Sequence, residues 1–397
     1  MKMSKIKLFF YTLFIMVITA TGTVFMTNKN ALAMVSDYDK LDKLLFLKKI
    51  ITQNYYKEVN EEDLIEGAEK GLFMGLDDPY SEYLTKEDMD TLREETEGEF
   101  IGIGIIVTNV DDNITVISPI KDTPAMKHGI KPGDIIVKVG DETFSGKQLN
   151  DAINKIKVPI DKKKKILGNE DYGSVHLTIL RGEELIEMDV ERKTIPYQTV
   201  DSKMQPDKIG YIEITQFAEG TAKDFKKALK KLQDEKMQGL IIDLRNNPGG
   251  LVDEVAEVAD SIMGEATVVY TQNRAGEKSY IKSDEKGQLD IPLVLLVNEG
   301  SASASEILSG AVRDNEIGKL VGEKTFGKGL VQIVQELNDG TGYKLTTEQY
   351  FTPKGENINK KGIKPDYEIK LDEEKFLKEN KDTQLEKAIE VVKTMNK

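Results

Sequence analysis

An α/β core, entered through N-terminal helices and interrupted by an inserted β-rich domain, is the fold class the sequence predicts. Three successive patterns along the 397 residues carry that reading. Residues 36–95 repeat apolar side chains at near-helical spacing, residues 98–195 break into short β-rich runs, and beyond Thr194 strand and helix patterns alternate.

In the first region Leu41, Leu44, Leu45, Leu47, Ile50 and Ile51 mark one helix, and Asn60-Glu-Glu-Asp63 starts a second through Ile65, Ala68 and Leu72. Asp77-Asp-Pro-Tyr-Ser81 breaks the pattern, and Thr85-Lys-Glu-Asp88 has the form of a capping box before a short helix. Ile101–Val107, Ile114–Ile117, Ile135–Val139 and Val175–Leu180 read as strands, with a helix from Ser145 to Ile156. The core then runs strand Ile209–Ile214, helix Thr221–Asp234, strand Gly239–Leu244, helix Val252–Met263 and strand Ile291–Val297, followed by a helix from Ser303. Such alternation with crossover helices predicts a mostly parallel sheet. Residues 371–397 form a charged helical tail, and Lys162–Lys165 reads as a solvated turn.

Composition narrows the function. Apolar residues make up 39% and charged residues 31%, ordinary values for a globular chain. The formal charge is −14 and no basic block is present, which argues against a nucleic-acid partner. With no cysteine, disulfides, thiolate nucleophiles and cysteine metal sites are excluded, and no cofactor is expected. Lys2, Lys5 and Lys7 precede an uncharged apolar run, residues 8–26, and Ala31-Leu-Ala33 offers a cleavage site. The run is near the ~20 residues of a membrane span, so a cleaved signal peptide and an uncleaved anchor both fit. Either places the rest of the chain across the bacterial cytoplasmic membrane, secreted or anchored.

The chemistry concentrates in two stretches. Asn298-Glu-Gly-Ser-Ala-Ser-Ala-Ser-Glu306 lies between a buried-strand run and a helical pattern, so its serines sit where backbone N–H groups are unpaired. Ser301, Ser303 and Ser305 all compete as nucleophile or plain N-cap. Thr325-Phe-Gly-Lys-Gly-Leu-Val-Gln332 presents Lys328 between glycines. A serine needs a neighbour to take its proton, and both histidines, His128 and His176, fall in the β-rich insert. A lysine base is therefore required, and burial favours its neutral amine.

The insert resembles a PDZ domain in three ordered blocks: Ile101-Gly-Ile-Gly104, Ser118–Ala125 and Gly129-Ile-Lys-Pro-Gly-Asp-Ile135. Such domains add a peptide C-terminus as a strand and hold its carboxylate on backbone N–H groups, which implies Ile101, Gly102, Ile103 and Gly104 as the peptide-binding loop. Val158–Gly173 departs from the pattern, being longer than the turn usual there.

The whole constellation resembles the C-terminal processing (tail-specific) serine peptidases. The blocks are Asp78–Tyr83, Asp243-Leu-Arg-Asn-Asn-Pro-Gly-Gly250, Gly300–Ile307, Gly322–Lys328, Tyr350–Gly355 and Gly362–Asp366. The resemblance implies a crotonase/Clp-like α/β peptidase core (196–370) with an inserted PDZ domain (98–195) and a helical region (34–97). It picks Ser303 as nucleophile, Lys328 as base and Gln332 as the group orienting the lysine. Strand parity also prefers Gln332 over Gln335, since Lys328, Leu330 and Gln332 alternate on one face of an extended segment. The oxyanion hole would use the N–H of Ala304 with one from Gly249 or Gly250, which the sequence does not separate. Asp243 and Arg245 are expected to pair structurally. The expected partners are protein or peptide substrates with free C-termini and a second copy of the chain, paired through the N-terminal helices and the 371–397 helix. The competing readings are an inactive PDZ adaptor, a histidine-based PDZ protease and a crotonase-like hydratase or thioesterase. The first would lose a member of Ser303/Lys328, the second needs a histidine upstream of its serine, and the third has no need of a PDZ domain.

Overall fold

The computed structural model describes residues 40–158, 168 and 171–395. The expected leader and the Lys162–Lys165 turn lie outside the described residues. The chain divides into two compact units at Pro79/Tyr80.

The first unit holds two helices, residues 40–54 and Glu61–Met74, the second capped by the Asn60 side chain accepting from Glu62 N at 3.0 Å. No described residue of this unit is buried, and Leu41, Leu44, Leu45, Phe46, Ile50 and Leu72 are all exposed. Its apolar spacing is helical, but these helices have no core of their own.

In the second unit a six-stranded sheet forms the core, ordered Val200–Gln205, Ile209–Ile214, Gly239–Asp243, Leu293–Val297, Lys319–Gly322 and Tyr367–Glu368. The first pair is antiparallel and the others parallel. Successive side chains point to opposite faces, and both faces are covered. Ile212, Ile214, Leu240, Ile242, Leu293 and Leu295 pack with helices Thr221–Asp234, Val252–Asp260 and Ala304–Asp314. Tyr211, Ile241, Val294, Leu296 and Val321 face helix Thr383–Met395 through Ala388, Val391 and Val392. The apolar stripe of the tail, expected to seek a second copy, is thus satisfied on its own sheet. The tail is also two helices, Glu373–Glu379 and Thr383–Met395, parted at Asn380 with φ 52°. Asp243 pairs with Arg245 at 2.6 Å, and Arg245 reaches Asp382 at 2.8 Å, fastening this helix to the end of a central strand.

A second, antiparallel sheet was not anticipated as such. Gly342–Phe351 is its long strand, flanked by Glu82–Leu84, Ala266–Asn273 and Leu330–Glu336, with Lys278–Ser283 beyond. Polar side chains interrupt the apolar pattern of these strands, so only their pairing reveals them. Helix Lys86–Glu97 begins with the expected capping box, Thr85 N donating to Asp88 Oδ2 at 3.0 Å.

The insert is a five-stranded antiparallel sheet, Ile105–Val110, Asn113–Pro119, Ile135–Val139, Ser174–Arg181 and Glu184–Glu191, with helix Leu149–Ile156. Glu142–Thr143 adds a short strand to Ile135–Val139. The expected strand Ile101–Val107 is instead two. Glu99–Gly102 pairs with Lys193–Pro196, closing the entrance of the insert on its exit, and the second strand starts at Ile105. Gly104 makes the break at φ 80°, where a Cβ would stand 2.4 Å from that of Thr123.

Candidate active site

Strand Leu293–Val297 delivers the chain to a tight turn, and helix Ala304–Asp314 leaves it. Ser303 occupies the N-cap at φ 53°, ψ −113°, a conformation costly for a residue with a Cβ. The three candidate serines separate here. Ser301 Oγ donates to Leu244 O at 2.7 Å and Ser305 Oγ to Asn247 O at 3.0 Å, both fully buried. Ser303 is half-buried and lines a cleft of about 340 Å³.

Lys328, Gln332, Gly249 and Gly250 line the same cleft. Lys328 Nζ lies 5.0 Å from the centre of the Tyr80 ring. Gln332 Nε2 donates to Thr346 Oγ1 at 3.3 Å, while Gln335 is exposed. The strand itself starts only at Leu330, and its register slips between Val331 and Gln332. Simple alternation from Lys328 therefore does not hold, and Leu330, Val331, Gln332 and Val334 all line the cleft. Helix Lys86–Glu97 supplies another wall through Leu92, Glu95 and Thr96. Glu323, the acid nearest Lys328 in sequence, faces Gln384 instead, at 3.4 Å.

Glu306 was missed by sequence reasoning. Fully buried, its carboxylate accepts from Ser303 N at 3.0 Å, Lys328 N at 2.8 Å, Gly327 N at 2.7 Å and Thr325 Oγ1 at 2.6 Å. One side chain thus ties the backbone of the serine to that of the lysine. Burial raises its carboxyl above the usual glutamate range, against the pull of those donors. Its signal was present, because Ser303-x-x-Glu306 is a capping-box spacing. Tyr350 was also missed. Its buried hydroxyl donates to Lys328 O. Burial pushes the phenol well above its ordinary value, and the Glu306 charge adds to that.

The glycine pair has defined geometry. Gly249, at φ 105°, packs so closely that a Cβ would meet Ser303 Cβ at 2.8 Å and Ala304 N at 2.9 Å. Its N–H donates to Asn247 Oδ1 at 2.8 Å. Gly249 O accepts from Phe217 N at 2.9 Å, so the planar trans peptide turns Gly250 N–H away from Phe217. Neither Gly250 N nor Ala304 N donates a hydrogen bond among the described residues.

A larger groove, about 600 Å³, lies in the insert. Gly102, Ile103 and Gly104 line it with Ile105, Ile153 and Ile156. The Ile101 side chain instead turns inward against Tyr172. Lys157, at the groove's edge, lies 4.7 Å from the Phe100 ring centre and pairs with Glu94 of helix Lys86–Glu97 at 2.8 Å.

A strand-to-helix serine in a two-sheet α/β core, joined to a peptide-groove insert, defines the class as a serine peptidase bearing a PDZ domain. Comparison with known proteins agrees. Residues 208–369 match the peptidase family S41 model, residues 102–191 the PDZ domain model, and residues 14–88 the N-terminal domain model of the activating protease CtpB. The carboxy-terminal processing protease CtpA of Bacillus subtilis (strain 168) is 36% identical over 374 residues, covering 92% of this chain and 78% of the relative. A probable CtpA-like serine protease of Staphylococcus aureus (strain N315) is 37% identical over 361 residues, covering 90% and 70%. A putative S41 protease of Bacteroides fragilis NCTC 9343 shares the fold, with a TM-score of 0.50, 13% identity and coverage of 88% and 97%. The chain belongs to the carboxy-terminal processing serine proteases of family S41.

Proposed function

We propose that this chain is an exported serine endopeptidase in which Ser303 attacks, Lys328 is the general base and Gln332 orients the lysine. The observation that carries this reading is the single cleft gathering Ser303, Lys328, Gln332 and the glycine pair, while the hydroxyls of Ser301 and Ser305 are held elsewhere. A neutral Lys328 amine takes the Ser303 proton as Oγ adds to the scissile carbonyl carbon. The carbonyl oxygen becomes an oxyanion, received by the N–H groups of Ala304 and Gly250. Gly250 is preferred to Gly249 because Asn247 already accepts from the latter. The lysine ammonium then protonates the leaving amine, and water, deprotonated by the same lysine, releases the acyl group.

Substrates are partly unfolded or regulatory proteins whose free C-termini are held by the backbone of Gly102–Gly104. Export rests on the basic and apolar leader, with residues 8–26 either removed or retained as a membrane anchor. Two copies associate through the N-terminal helices, a reading supported by the exposed apolar side chains of residues 40–79. The nucleophile is tested by treating the protein with a serine-directed phosphonylating reagent and mapping the adduct by mass spectrometry. Modification at Ser303, suppressed in Lys328→Ala, is expected. An adduct at another serine, or unchanged labelling in the folded lysine variant, would remove the dyad.

A further inference from the structure

Eight residues, 244–251, connect a central strand to helix Val252–Asp260, and Pro248, Gly249, Gly250 and Leu251 of this loop line the cleft. Three rungs fasten this loop to the turn bearing Ser303. Ser301 Oγ donates to Leu244 O at 2.7 Å, and Asn246 and Asn298 bond reciprocally at 2.8 and 2.9 Å. Asn247 O accepts from Ala302 N at 3.0 Å and from Ser305 Oγ at 3.0 Å.

The Asn247 side chain differs in kind from these rungs. It is fully buried and has both of its functions fixed. Nδ2 donates to Ile214 O at 2.8 Å, at the end of a neighbouring strand, and Oδ1 accepts from Gly249 N at 2.8 Å. The first bond prevents the amide from turning over, because a flipped amide would set oxygen against the Ile214 carbonyl and N–H against Gly249 N–H. Oδ1 therefore has one orientation, and the Gly249 N–H has one partner.

We propose that Asn247 is the positioning residue of the oxyanion site, fixing the Gly249–Gly250 peptide so that Gly250 N–H faces the cleft beside Ala304 N–H. This rests on the Ser303/Ala304/Gly250 reading above. Three anchors hold that peptide and its two neighbours: Oδ1 at Gly249 N in the peptide before it, Phe217 N at Gly249 O within it, and Phe217 O receiving Leu251 N at 2.7 Å in the peptide after it. Without the first, a glycine pair at φ 105° and 137° has no side chain to hold it. The other two bonds secure the loop to Phe217 but leave the Gly249 N–H side of the turn loose. The same residue's carbonyl holds Ala302 N, one peptide before the nucleophile, so both halves of the oxyanion site refer to one backbone position. An oxyanion donor must be in place before charge develops, and losing one costs about 10²–10³ in kcat.

The test uses the full chain with Asn247→Ala and Asn247→Asp, Ser303→Ala serving as the inactive reference. Steady-state kinetics on an extended peptide are combined with inhibition by a matching peptide aldehyde and its alcohol. Ser303 Oγ adds to the aldehyde carbon, its proton passes to Lys328, and the former carbonyl oxygen becomes an oxyanion in the site. The alcohol binds the same cleft with no oxyanion. Asn247→Ala is expected to lower kcat and aldehyde affinity by about 10²-fold, leaving KM and alcohol affinity within about threefold. Asn247→Asp is expected to regain activity relative to the wild type as pH falls, because a neutral carboxyl restores one donor and one acceptor where a carboxylate has no donor. Parallel losses of kcat, alcohol affinity and melting temperature would reduce Asn247 to a structural residue and overturn the proposal. So would wild-type kcat and aldehyde affinity in a folded Asn247→Ala. Either outcome with Ser303→Ala inactive leaves the nucleophile standing, whereas activity in Ser303→Ala refutes the underlying reading itself.

Discussion

At the scale of single residues, Glu306 links the two halves of the site. It holds Ser303 N and Lys328 N on one buried carboxylate. Four donors offset its desolvation, yet the net effect of burial raises its affinity for a proton. The sign follows from linkage. A carboxyl raised in the folded state binds its proton there before it does in the unfolded chain, so through this group stability grows as pH falls toward the unfolded value of about 4.3. Activity moves the opposite way, because a protonated oxygen cannot accept from all the N–H groups it now receives. Acidification toward that unfolded value should therefore reduce turnover reversibly without a matching loss of melting temperature. Glu306→Gln should cost about tenfold or more in kcat and remove the Glu306 contribution to the acid limb. An acid limb unchanged in that variant would place the titration elsewhere. The serines show where legibility ended: three lie at alternate positions, and only hydroxyl partners 57 and 58 residues away separate them.

At the scale of elements, the parallel strands of the core were readable because burial on both faces leaves continuous apolar runs such as Leu293–Val297. The antiparallel strand Gly342–Phe351 was not, since Lys344, Thr346, Glu348 and Gln349 hide its period and its partners are distant in sequence. The tail was legible as helix and as amphipathic, but amphipathicity alone does not say which surface it covers. Here Val391 and Val392 are buried on Ile241, Val294 and Val321. Val392→Ala should lower stability by about 2 kcal/mol in denaturant unfolding. Light scattering should find its mass unchanged, whereas a chain lacking residues 1–79 should be a monomer. A dimer surviving that deletion would contradict assembly through the N-terminal helices.

Across the second unit, helix Lys86–Glu97 touches both functional grooves. Glu94 pairs with Lys157 beside the peptide groove, while Leu92, Glu95 and Thr96 line the serine cleft. One helix thus carries both the Glu94 pair at the edge of the insert groove and a wall of the serine cleft. Sequence made the two sites legible as separate motifs, but their common wall arises from packing between segments more than sixty residues apart. The central claim is that one chain reads a free C-terminus and cuts with Ser303 and Lys328. It is tested most directly by incubating the purified protein with a loosely folded substrate ending in apolar residues, as the free acid and as the C-terminal amide. Cleavage of the acid, slower cleavage of the amide, and none of either by folded Ser303→Ala or Lys328→Ala is the predicted result. Undiminished cleavage by either variant, or equal rates for acid and amide, would contradict it.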